Sequence, residues 1–115
     1  MGPRQRHLTL GWAVLGYSLL TILLTWPTAA NFSQAVAGFK GLDSLQYTWS
    51  LWWSAKAWGQ LGHSPAHVTL LYHPWGGEHT LLAVTPLLDW LALPLHGLLT
   101  ATEVYNLFFL TCFVL

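Results

Sequence analysis

The residues best suited to chemistry in this chain begin at Asp43, where a carboxylate precedes polar side chains at helical spacing. A carboxylate can accept a proton from a hydroxyl, or it can stabilise positive charge that develops as a bond breaks. Gln46 and Tyr47 follow one helical turn later and could hydrogen-bond the hydroxyls of a substrate. The simpler interpretation is that Asp43 caps the helix that it begins, and that Gln46 and Tyr47 belong to a solvated face.

A second group of candidate residues consists of four imidazoles between positions 63 and 79: His63, His67, His73 and His79. Together with Glu78 they could hold a divalent metal ion. Pro65 disfavours a helix through the first two histidines, and no HExxH motif is present. We therefore predict no metal site and no cofactor. A bound divalent metal is the alternative. We expect His73 and His79 to bind substrate instead, because a protonated imidazole offsets phosphate charge.

Two further acidic residues lie in apolar segments. Asp89 stands between Leu88 and Trp90, and an ionisable residue in such surroundings is a site candidate if it faces the protein interior. It could equally mark the polar side of a surface helix. Glu103 is predicted to start a helix, where a negative charge is favoured.

The composition is that of a membrane protein. Hydrophobic residues make up 54% of the chain and charged residues 7%, against about 25% charged residues in soluble domains. The formal net charge of zero provides no basic field for nucleic acid, so we expect no nucleic-acid partner. The single cysteine, Cys112, cannot form an internal disulfide and is most simply a small hydrophobic residue.

A first transmembrane helix is predicted over residues 8–27, ending at Pro27. Its apolar stretch of about 19 residues gives about 28 Å of helix, close to the hydrocarbon thickness of a bilayer. Because Arg4 and Arg6 precede it, we expect residues 1–7 to be cytoplasmic and the chain after Pro27 to lie outside the cell membrane. A cleaved signal peptide is the alternative, although its apolar core is usually only about 7 to 15 residues long.

Residues 28–98 are predicted to form an extracytoplasmic loop along the membrane surface. Interfacial amphipathic helices are expected at about 43–61 and 80–96, separated by a turn-rich segment. In the first of these helices Leu45, Trp49 and Trp52 lie on one side, with Trp at the depth of the lipid headgroups. A polar stripe occupies the other side, where we expect it to face water: Asp43, Gln46, Tyr47, Ser50 and Ser54.

A second transmembrane helix is predicted to start within residues 99–115. The apolar run from Thr102 is uninterrupted at Leu115, yet about 14 helical residues cover only about 21 Å. We therefore expect this span to be truncated and the chain to be the N-terminal part of a longer multispanning protein. The predicted fold class is an all-α membrane protein.

Several short motifs occur in an order that resembles a known family. They are Gly-x-Asp-Ser-x-Gln-Tyr-x-Trp-x-Leu-Trp-Trp at 41–53, Tyr-His-Pro-Trp-Gly-Gly at 72–77, Leu-Pro-Leu at 93–95 and Val-Tyr-Asn-Leu at 104–107. Together they resemble the N-terminal region of bacterial integral-membrane glycosyltransferases of the GT-C class. The resemblance implies that a carboxylate after the first helix, here Asp43, works at the catalytic centre. It also implies a polyprenyl-phosphate-linked sugar donor and an extracytoplasmic acceptor.

Two functions follow as hypotheses. In the first, the full-length protein transfers a sugar from the lipid-linked donor, and the fragment alone is inactive. In the second, the protein is a non-enzymatic multispanning membrane protein, either a scaffold subunit or a transporter component. Residues 8–26 carry no acidic, basic or histidine side chain, which argues against a first helix that lines a transport pathway.

Overall fold

The computed structural model describes residues 3–38, 43–78 and 86–115, and these are mostly helical. Helix α1, Pro3–Leu24, has 22 residues. It contains Gln5–Leu24, the single stretch within the described residues that is long and apolar enough to cross a membrane, a test that a signal sequence also passes. Large apolar side chains along it are exposed, such as Trp12 at 71% and Leu24 at 74%. This exposure is typical of a helix that lipid surrounds.

The chain bends after α1 at Thr25, two residues before the proline that was expected to end the helix. Proline lacks an N–H and its ring excludes the carbonyl four residues earlier, so the regular ladder cannot continue through Pro27. The Thr25 N–H makes the last regular helical bond, to the Thr21 carbonyl at 2.9 Å, and the Thr25 hydroxyl donates to the same oxygen at 2.7 Å. Pro27 then occupies the first turn of a short helix, α2, Trp26–Ala30, a position that proline favours.

A helix occupies the predicted range 43–61. Helix α3, Asp43–Lys56, passes directly into a π-helical segment, Ala57–Leu61. Gly62 ends it with a left-handed backbone, φ 67°, and caps it by donating its N–H to the Ala57 carbonyl. Glycine adopts this conformation without the steric strain that a Cβ would impose, which suits it to the end of a helix.

The polar stripe of α3 faces the protein over its second half, and the prediction that it faces water is wrong there. Ser50 and Ser54 are each 1% exposed, whereas Leu45 on the other side is 59% exposed. Small hydroxyl side chains allow neighbouring helices to approach closely, as at helix contacts in membrane proteins. Leu45 and Trp52 are left on the outside of α3, whereas Leu51 and Trp53 are buried.

Two helical segments pack against α3 from the second half of the chain. Helix α4 is Pro86–Ala92, and a 3₁₀ turn, Leu95–Gly97, follows after Pro94. These occupy part of the surface helix predicted at 80–96, whose first residues lie outside the described part of the chain. Helix α5 is Ala101–Thr111, and its Val104 forms a buried core with Leu51 of α3 and Ala92 of α4.

Helix α5 begins with a capping box. The Thr100 hydroxyl accepts the Glu103 N–H, and the Glu103 carboxylate accepts the Thr100 N–H at 2.8 Å. The prediction that Glu103 starts a helix is therefore confirmed. With 11 residues, α5 is about 17 Å long, so the second membrane span predicted from this region stays a prediction.

A small hairpin forms in the segment that was expected to be a loop. Strand β1, His67–Val68, pairs antiparallel with β2, Gly77–Glu78. It packs on α3 through a second core of Trp53, Ala57 and Val68, all fully buried. The Trp53 indole N–H donates to the Pro65 carbonyl at 3.0 Å, which satisfies the polar atom of a buried ring.

One fully buried amide, Asn106 in α5, fastens the segment after α2. Its Oδ1 accepts the Ala37 N–H at 2.8 Å, and its Nδ2 donates to the carbonyls of Phe32 and Ala35, both at 2.7 Å. A buried amide is stable only when its donors and acceptor are satisfied, and here three backbone groups satisfy them. We call this arrangement the Asn106 clamp.

Candidate functional site

Asp43 is the first residue of α3, and its side chain is exposed. A carboxylate in the first turn of a helix is stabilised by the helix dipole, so Asp43 has a structural role at this position. Exposure also leaves the carboxylate accessible to a substrate. The structural and the chemical role are therefore compatible at this residue.

Tyr47, one turn further along α3, borders an apolar cavity of about 230 Å³. The cavity lies between α3, α4 and α5, and we call it the α3–α5 groove. Its other lining residues are almost entirely apolar: Leu51, Leu88, Tyr105, Phe108, Phe109 and Cys112. Since small-molecule sites usually enclose about 300 Å³ or more, the groove suits a segment of a hydrocarbon chain better than a whole ligand.

The remaining predicted substrate-binding residues are less closely grouped. Gln46 is half-buried on α3 beside Tyr47. His73 is exposed in the connection between β1 and β2. That hairpin packs on Trp49 and Trp53, on the face of α3 opposite to Tyr47. The structure thus places Asp43, Gln46 and Tyr47 on one element and His73 on another, and His79 lies outside the described residues.

The histidines of the hairpin region make local contacts. His67 Nδ1 is 3.3 Å from Glu78 Oε1, an exposed pair across the two strands. His63 contacts the Ser64 carbonyl at 2.9 Å and lies 5.9 Å from the Trp53 ring, centroid to centroid. Within residues 3–38, 43–78 and 86–115, no three histidine, cysteine or acidic side chains converge as metal ligands would.

Three polar residues that are wholly or partly buried, Ser54, Asp89 and His96, were only partly anticipated from the sequence. Asp89 is 2% exposed, so it faces the protein interior, the condition under which it was a site candidate. Ser54 is buried as well, and His96 follows in the 3₁₀ turn. Burial lowers the pKa of His96, and the charge of Asp89 opposes this shift. His96 carried no sequence signal, because a single histidine after Pro94 resembles any loop residue.

Lys56 borders a cavity of about 680 Å³ between the end of α3 and the start of α5. Its Nζ lies 5.0 Å from the centroid of the Trp52 ring, a cation–π contact. The sequence analysis did not assign this residue to a site. Its only signal was the spacing of four from Trp52, which brings the two side chains together on a helix.

Comparison of the chain with protein-family models, with curated proteins and with solved structures finds no match. The resemblance to GT-C glycosyltransferases consequently rests on the short motifs, and the family assignment stays a prediction.

Proposed function

We propose that this chain is the N-terminal part of a membrane glycosyltransferase that moves a sugar from a polyprenyl-phosphate-linked donor to an extracytoplasmic acceptor. Asp43 serves in this proposal as the general base or as a carboxylate at the donor site. The observation that carries the proposal is the position of exposed Asp43 one helical turn from Tyr47, at the border of the apolar α3–α5 groove. A donor of this kind combines a hydrocarbon tail with a polar reacting end, and so needs both features close together.

A cavity that α1 shares with the end of α5 supports the proposed membrane topology. Ser18, Thr21 and Ile22 of α1 share a small cavity with residues of the C-terminal half of α5 and just beyond it. In the proposed arrangement α1 crosses outward from a cytoplasmic N-terminus and α5 starts back beside it. Residues 28–98 then lie on the extracytoplasmic surface, where Asp43 meets the donor.

Polar residues near Asp43 take the binding roles. Gln46 and Tyr47 would hydrogen-bond hydroxyls of the sugar or the acceptor, since an amide and a phenol provide both donors and acceptors. His73 and His79 would offset phosphate charge when protonated, although the position of His73 on the hairpin supports this role less directly.

Substitution of Asp43 tests the proposal. The assay uses the full-length protein in membranes, a panel of polyprenyl-phosphate hexoses labelled in the sugar, and detection of label in the extracytoplasmic acceptor fraction. Asp43→Asn is expected to lower transfer by at least about 100-fold, the usual contribution of a positioned acid or base. Membrane insertion should be unchanged.

Glu78→Gln is the matched control, because it also neutralises an exposed carboxylate but one on β2. It should transfer sugar at the parental rate. Transfer by Asp43→Asn at that rate would show that Asp43 is not the catalytic carboxylate. Absence of transfer from every donor by the unsubstituted full-length protein would favour the non-enzymatic alternative.

A further inference from the structure

The large cavity beside Lys56 has the form of a cleft with one polar wall. The end of α3 and its π-helical segment form one side, and the 3₁₀ turn and the start of α5 form the other. We call it the Lys56 cleft. Its volume of about 680 Å³ falls within the usual range for small-molecule sites, and the lining residues that matter here are Trp52, Lys56, Gln60, His96, Leu98 and Thr100.

The positive charge in the cleft is not neutralised by the described part of the chain. There, the single pair within ion-pairing distance is His67 with Glu78, on the hairpin. The ammonium of Lys56 is held over the Trp52 ring and has no carboxylate partner among those residues. A fixed cation of this kind attracts an anion to the cleft.

His96 also lines the cleft. Nε2 of His96 is buried and has no hydrogen-bond partner within the described residues. Because this nitrogen has almost no accessible surface, the attraction for an anion in the cleft rests on Lys56. The N-terminus of α5 does not supply the attraction, because the Glu103 carboxylate already occupies the Thr100 N–H and hydroxyl.

We propose that the Lys56 cleft binds the phosphodiester headgroup of an anionic membrane phospholipid. The rim of the cleft is apolar, with Leu98 87% exposed and Trp52 40% exposed, and it provides a surface for acyl chains next to the charged nitrogen. A lysine and a tryptophan side by side are typical of the headgroup region of a bilayer.

The site is separate from the proposed catalytic centre. Lys56 lies 13 residues after Asp43 on the same helix, which corresponds to about 20 Å. The phosphate of a sugar donor is bonded directly to the sugar, so one donor molecule cannot have its phosphate at Lys56 and its reacting carbon at Asp43. The occupant we assign is therefore a bilayer lipid and not the donor.

Native mass spectrometry of the full-length protein, released from detergent micelles, tests this assignment. The probes are phosphatidylglycerol and phosphatidylcholine of identical acyl chains, added at increasing concentration. We expect one phosphatidylglycerol to be retained in preference to phosphatidylcholine. Lys56→Gln should weaken its retention about tenfold, the effect of losing one charge-assisted hydrogen bond, and Lys56→Arg should retain it.

Two comparisons make the result specific. Arg6→Gln removes one cation from α1, far along the sequence from the cleft, and should leave retention unchanged. Inorganic phosphate at millimolar concentration should not displace the lipid, whereas displacement would show that the cleft recognises free phosphate. Equal retention of both lipids, or an equal loss in Arg6→Gln and Lys56→Gln, would overturn the proposal.

Discussion

The Asn106 clamp makes a prediction that can be worked out from its three hydrogen bonds. Asn106→Ala removes the acceptor of the Ala37 N–H and the donors to the carbonyls of Phe32 and Ala35. Each bond contributes about 0.5 to 1.5 kcal/mol net, and polar contacts between membrane helices average about 0.6 kcal/mol. We therefore expect a loss of about 2 to 4 kcal/mol in the free energy of unfolding.

The Ala37 amide offers a local readout, because Asn106 is its partner in the folded chain. Hydrogen exchange followed by mass spectrometry in detergent should show faster exchange in the segment around Ala37 for Asn106→Ala. Asn106→Asp should behave similarly, since it loses the donors and places a charge in a buried site. Unfolding followed by circular dichroism gives the global change.

Thr100→Ala is the matched control within the same helix. It removes the side chain of the capping box and should reduce the free energy of unfolding by about 1 kcal/mol. Exchange around Ala37 should stay slow, because the clamp is intact. If Asn106→Ala leaves that exchange unchanged, the clamp does not hold the segment after α2 and the reasoning is refuted.

Two further predictions concern buried rings. Because burial holds the pKa of His96 below its usual 6.5, the unfolded chain binds more protons between the lowered pKa and 6.5. Stability should therefore fall as the pH drops through this window. In thermal melts at pH 5 to 7, the melting temperature of His96→Gln should depend less on pH than that of the parental protein. An equal dependence on pH in the two proteins would contradict this prediction. Trp53→Phe removes the hydrogen bond to the Pro65 carbonyl and leaves a void in the second core, so we expect it to lower the free energy of unfolding by about 1 to 3 kcal/mol, measured with a chemical denaturant. Trp58→Phe is the control and should change this free energy little. Equal free energies of unfolding for the two variants would argue against the second core.

Much of the secondary structure could be predicted because it depends on local signals. The length of α1 follows from an uncharged apolar run, the end of the π-helical segment from Gly62, and the start of α5 from Glu103. Each signal acts within a few residues of the feature that it specifies. The end of the first helix was predicted at Pro27, but the chain bends at Thr25, two residues earlier. Proline disrupts the helical turn that precedes it, which accounts for the difference.

The orientation of α3 could not be predicted in the same way. A stripe of polar residues has the same spacing whether water or another helix contacts it, and only the partners α4 and α5 decide between the two. The rule that polar residues face outward holds in water, whereas the small hydroxyls of Ser50 and Ser54 suit a helix contact among apolar surroundings. Our expectation applied the aqueous rule to a chain whose composition indicated lipid.

The candidate site was predicted only in the part that lies on one helix. Asp43, Gln46 and Tyr47 share α3, so their spacing determines their proximity. The groove beside Tyr47 and the cleft beside Lys56 require residues from α4 or α5, more than 30 positions away, and no short-range pattern reports such neighbours. For the same reason nothing in the sequence distinguished His96 from a loop histidine.

The sequence separation within the Asn106 clamp has a consequence for the order of folding. Ala37 and Phe32 lie 69 and 74 positions before Asn106, so the segment after α2 cannot reach its final contacts until α5 has been synthesised. During translation, which proceeds from the N-terminus, the backbone groups at 32–37 must be hydrated in the meantime. Closing so long a loop is slow compared with forming the helices on either side. We therefore expect the docking of this segment to be a late event in the maturation of the protein, after the intervening helices have formed.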